Sequence, residues 1–133
     1  MPMQELPRSQ IELRGSSFSR LMLDPECLNL PFPIAFEEVA ERLCALERMF
    51  FEPDGSFVWV SDSHAGSWQI EGVLYDRAEQ LQHVDLRGAC PEEEWNRLLS
   101  AMNWPNTNLV FELAREAVFL DDGEFRRYAG WRG

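Results

Sequence analysis

Few side chains in this sequence are equipped for chemistry. Its two histidines are His64 and His83. Asp62 stands two residues before His64, and Asp85 two residues after His83. Each pair is a mixed nitrogen and oxygen donor set of the kind that zinc or a harder divalent cation accepts. On a strand, residues two apart share a face, so His83 and Asp85 point the same way. A metal centre built from all four needs a fold that sets the first pair against the second. These four residues are the metal-ligand candidates, and a metal-dependent hydrolase is the least favoured of three functional readings. Ser61-Asp62-Ser63-His64 holds the letters of a catalytic triad. Triads assemble from separate elements, however, and no G-x-S-x-G elbow is present. No catalytic residue is assigned, and the chain is expected not to be an enzyme.

The thiols give no redox motif. Cys27, Cys44 and Cys90 are far apart and form no C-x-x-C pair. An odd, sparse count fits a reducing compartment, so a cytoplasmic location is the expectation. Cys44 follows Leu43 on an apolar stripe and is expected in the core. Cys90 falls at a predicted helix start, where the dipole lowers a thiol pKa, but Glu92, Glu93 and Glu94 oppose it. A quiet, partly buried thiol is expected. Those glutamates suit a first helical turn, and Asp121 or Asp122 suits a cap. Dinucleotide-binding, P-loop, H-E-x-x-H and EF-hand patterns are absent from the sequence, and no cofactor is expected.

All twelve basic residues are arginine, which removes Schiff-base, P-loop-lysine and Ser-Lys chemistry together. A formal charge of -11 argues against wrapping nucleic acid and favours a basic protein partner. The remaining candidates are surfaces. Phe57, Trp59, Trp68 and Tyr75 lie on neighbouring predicted strands and could enclose a small apolar ligand, the second reading. The C-terminal run FRRYAGWRG carries Arg126, Arg127, Tyr128 and Trp131, types enriched in interface hot spots. They are the partner-binding candidates. The leading reading is a small acidic, non-catalytic interaction protein, chaperone-, immunity- or adaptor-like by analogy of size and charge alone, with a protein partner or a second copy of itself.

These residues depend on elements that the patterning predicts. Residues 1–10 are polar and carry two prolines, so they read as a loose arm. Residues 11–14 alternate as a short strand ended by Gly15-Ser16-Ser17. Three prolines make 18–33 an irregular connection. A helix is predicted over 34–48 from the stripe Phe36, Val39, Ala40, Leu43 and Leu46. Residues 49–52 and 56–60 read as a hairpin about Asp54-Gly55. Strands over 68–75 and 81–87 extend it into an antiparallel meander, because the links are too short for parallel crossovers. A second helix opens at Pro91, buries Trp95, Leu98, Leu99 and Met102, and stops before Trp104-Pro105. Residues 107–119 fit a helix or a buried strand, and helix is the reading adopted here. MFFEPDGSF at 49–57 and AVFLDDGEF at 117–125 echo one another, which reads as two turns of similar chemistry.

The 133 residues, 45% apolar and 12% aromatic, are expected to form a single domain with one sizeable core. No stretch approaches the roughly 18 apolar residues of a membrane-spanning helix, and no membrane partner is expected. The expected architecture is α+β: a four- to five-stranded antiparallel meander with two or three helices on one face. Its central strands are apolar on both faces. The second face therefore calls for cover by the N-terminal segment, a partner or a ligand.

Overall fold

The computed structural model describes residues 8–22, 32–61, 68–107 and 109–131. Over these residues it is an α+β fold with two antiparallel four-stranded sheets and three helices. The chain divides into two compact units, residues 30–107 and residues 1–29 with 108–133.

The first unit holds the predicted meander. Its strands are β3 (Met49–Phe51), β4 (Ser56–Val60), β5 (Gln69–Arg77) and β6 (Gln80–Ala89), in that spatial order. The β3–β4 hairpin turns where Asp-Gly predicted it, at Gly55 with φ of 95°. Ser56 donates both its N–H and its hydroxyl to the Asp54 carboxylate, and these bonds hold the Asp54 pKa below the ordinary carboxylate value. Two helices complete the unit: α1 (Phe36–Cys44), shorter than the predicted 34–48, and α2 (Glu92–Ala101). α1 packs on β3, β5, β6 and α2. Val39 and Leu43 of α1 and Trp95, Leu98 and Leu99 of α2 are buried, as their spacing predicted. Pro91 stands one position earlier than expected, as the N-cap of α2.

The second unit departs from the sequence reading. β1 begins at Arg8, inside the stretch read as an arm, and runs to Leu13, while β2 spans Ser16–Leu21. Residues 107–119 are not a helix. They contribute β7 (Val110–Leu113) and the start of β8 (Val118–Asp121), joined by a four-residue turn that ends at Ala117 with φ of 54°. The sheet order is β1-β2-β8-β7. The apolar residues of this segment satisfy both periods, and the strand period wins. Phe111 and Leu113 share a face with their cross-strand partners Leu120 and Val118. Leu113, Val118 and Leu120 join Phe18 in the unit's core, with Ile11, Leu13, Phe125 and Tyr128 packed against it. α3 (Asp122–Ala129) follows directly, capped by Asp121 as one of the two predicted alternatives, and ends at Gly130 with φ of 86°.

Candidate functional site

The four aromatic ligand-binding candidates separate by face. Phe57 and Trp59 are each 2% exposed and belong to the core of their unit. The Phe57 ring stacks beside Phe51 and lies over its cross-strand partner Gly72, where a Cβ would fall within 2.3 Å of the ring. The Trp59 indole N–H donates to the Glu47 carbonyl at 2.9 Å, and its ring meets Trp68 edge to face at 4.9 Å. These three rings pack with protein neighbours. Tyr75 lies on the opposite face of the sheet, exposed, and stacks on its cross-strand neighbour His83 at 4.3 Å.

His83 and Asp85 are exposed on that same face, as the period-two argument required. Asp62 and His64 lie outside the described residues. Among the described residues no three His, Cys, Asp or Glu side chains gather as metal ligands.

The C-terminal candidates serve α3. Arg127 donates to both oxygens of Glu124 at 2.7 Å and to the Ser17 carbonyl at 3.0 Å, and its guanidinium lies over the Phe18 ring. Tyr128 meets Phe18 edge to face and carries Arg14 on its own ring at 4.3 Å. Arg126 pairs with Asp122 at 2.9 Å, and Trp131 packs against Phe125. Glu124 also accepts the Ser19 N–H at 2.9 Å. Arg127 and Tyr128 therefore bind α3 to its own sheet, whereas the contacts of Arg126 with Asp122 and of Trp131 with Phe125 are made to α3 itself.

Of the two described thiols, Cys44 is exposed, not in the core as its place beside Leu43 suggested. It follows Leu43 by one residue, about 100° around the helix, and so turns off the buried stripe. Cys90 is buried, and its pKa is pushed up to about 11, by desolvation first and by the nearby Glu94 charge second. A thiol so protonated is a poor nucleophile.

The helix-free face of the β3–β6 sheet is the surface that remains. By register it carries Phe50, Val58, Glu71 and Arg87 in one row and Ser56, Val73 and Asp85 in the next, with Tyr75 and His83 at one end. Phe50 is 63% exposed and Tyr75 40%. Sequence reasoning flagged the two-sided apolar pattern of the central strands and passed over Phe50, the most exposed of its large apolar residues. The signal was Met49-Phe50-Phe51, three consecutive apolar residues on a strand, which forces one of them outward. The surrounding unit is strongly acidic: residues 30–107 hold fourteen carboxylates and five arginines, a net -9 of the chain's -11. Comparison with protein-family models, with curated proteins and with solved structures finds no match to this chain.

Proposed function

We propose that the chain is a non-catalytic interaction protein that docks a basic protein partner on the helix-free face of the β3–β6 sheet. The observation that supports this reading is the exposure of Phe50 and Tyr75 on a sheet whose helix α1 packs on the other face. Exposed aromatic side chains are the anchors that interfaces use, and a rim of carboxylates steers a cationic surface toward them. The net -9 of residues 30–107 sets the sign of that partner. Affinity capture with the wild-type chain and with a Phe50→Ala/Tyr75→Ala variant tests the reading. A basic protein held by the wild type should bind the variant at least tenfold more weakly, and its association should slow when salt rises from roughly 50 to 300 mM. Capture that is indifferent to both aromatic side chains would remove this face from the proposal.

A further inference from the structure

Among the described residues, the outer edge of β6 is occupied at its start alone. Phe32 N–H donates to the Leu81 carbonyl at 2.7 Å, Leu81 N–H donates to the Ile34 carbonyl at 3.1 Å, and Ala35 bridges Gln80. Among the described residues no strand pairs with that edge beyond Leu81, and His83, Asp85, Arg87, Gly88 and Ala89 are exposed. An uncovered edge of this length is a template for another strand. We propose that its occupant is a second copy of this chain, with β6 paired antiparallel to its own counterpart about a two-fold axis through Leu86.

The symmetry leaves few registers, and charge selects among them. Antiparallel partners directly opposite one another share a face, so the axis stands perpendicular to the sheet and passes through one residue. An axis at Asp85 sets Asp85 against its own copy and His83 against Arg87. An axis at Arg87 sets two guanidinium groups together. An axis at Val84 drives Arg87 of each copy toward Leu81 of the other, where Phe32 and Ile34 already occupy the edge. An axis at Leu86 has none of these faults. It places Asp85 opposite Arg87 twice, Leu86 opposite Leu86 and His83 opposite Ala89, and the pairing stops short of Leu81. Opposite charges in directly opposed positions stabilise a strand pair, and like charges there destabilise it. The product is one continuous eight-stranded sheet, with the Phe50 and Tyr75 faces of both copies on one side.

One added strand pair is a small interface, so the dimer should form in the micromolar range or weaker. Sedimentation equilibrium of the full chain over roughly 10 to 500 µM tests it. The mass should climb from 15.5 kDa toward twice that value. Asp85 faces Val73 within its own sheet, so Asp85→Arg disturbs no cross-strand ion pair there. It sets like charges opposite each other at two places in the dimer and should weaken association about tenfold or more. Arg87 faces Glu71 within its own sheet, so the charge swap Asp85→Arg/Arg87→Asp is made together with Glu71→Gln, which removes the carboxylate that would oppose position 87. The swap should recover the dimer, with circular dichroism confirming that the variants keep the fold. A monomer at every concentration overturns the proposal. So does a dimer that Asp85→Arg leaves unchanged, or one that the swap fails to recover.

Discussion

At the scale of single residues, three glycines separate packing from backbone conformation. At Gly72 the three atoms nearest to a Cβ would all belong to the Phe57 ring, a side chain able to shift at some loss of packing. Gly72→Ala should therefore cost about 1–3 kcal/mol in urea denaturation, the range for overpacking a filled core. At Gly88, φ is 113° and a Cβ would fall 2.1 Å from the Gln69 carbonyl oxygen, which is backbone and cannot move aside. Gly88→Ala should cost more than Gly72→Ala, and the reverse order would refute this distinction. Gly123 sits in the first turn of α3 with nothing nearer than 3.7 Å, so Gly123→Ala should be neutral or stabilising by about 0.5 kcal/mol. The Cys90 thiol makes a pH prediction. Folding raises its pKa from about 9 to about 11, so below pH 9 both states hold the proton and stability is unaffected. Between pH 9 and 11 the unfolded chain releases the proton first, so stability should fall as pH rises, by up to about 2 kcal/mol. Cys90→Ala should flatten that portion of the curve, measured by denaturant midpoint at pH 8.5 and 10.5. A slope that survives the substitution would move its origin elsewhere.

At the scale of elements, α3 depends on contacts that its sequence supplies locally and on others that it does not. Asp121 Oδ1 accepts the Glu124 N–H at 2.8 Å while Oδ2 meets Arg8 at 2.8 Å. Asp121→Ala should cost about 1–2 kcal/mol, most of it from the lost cap, because the partly exposed ion pair adds little. Asp122→Ala removes the Arg126 pair and a first-turn carboxylate but leaves the cap in place, and should cost less by thermal melting. The cap was legible in the sequence because its chemistry lies within four residues. The meander was legible for the same reason, since each strand pairs with its neighbour across a short turn. The second sheet was not. β2 meets β8 nearly a hundred residues away at Leu21 and Phe119, and no local pattern announces that pairing. Val110, Leu113, Ala114, Ala117 and Val118 fit a helical stripe, while Phe111, Leu113, Val118 and Leu120 fit two strand faces. Strand pairing decides between them, β7 with β8 and β8 in turn with the distant β2 edge. The candidate surface was legible in the same partial way: the sequence showed that the central strands are apolar on both faces, but not which face α1 covers. Likewise, no spacing announced that Arg127 and Tyr128 would clamp Phe18, because Phe18 lies across the chain on a strand that the prolines beyond it obscured.

At the scale of the whole molecule, charge is distributed unevenly along the fold. Residues 30–107 carry a net -9, whereas residues 1–29 with 108–133 carry nine carboxylates against seven arginines, a net -2. In the second unit arginines pair widely with carboxylates: Arg8 with Asp121, Arg126 with Asp122 and Arg127 with Glu124. In the first unit carboxylates outnumber arginines fourteen to five, so folding that unit concentrates like charge. Salt screens such repulsion within about 10 Å at 0.1 M. Raising salt from roughly 10 to 300 mM should therefore stabilise the strands β3 to β6 and leave β1, β2, β7 and β8 nearly unchanged or slightly weakened, since their ion pairs are screened too. Residue-resolved amide exchange under both conditions measures this directly, because each unit reports its own opening free energy. Slower exchange confined to residues 49–89 would establish that the acidic unit holds unspent electrostatic repulsion. A cationic surface docked on it would relieve that repulsion more effectively than salt does, and so would bind it with a stabilising effect that weakens as salt rises. Uniform slowing across both sheets would mean that the units open together. The charge asymmetry would then belong to the molecule's field, steering a partner's approach, and not to the stability of one sheet.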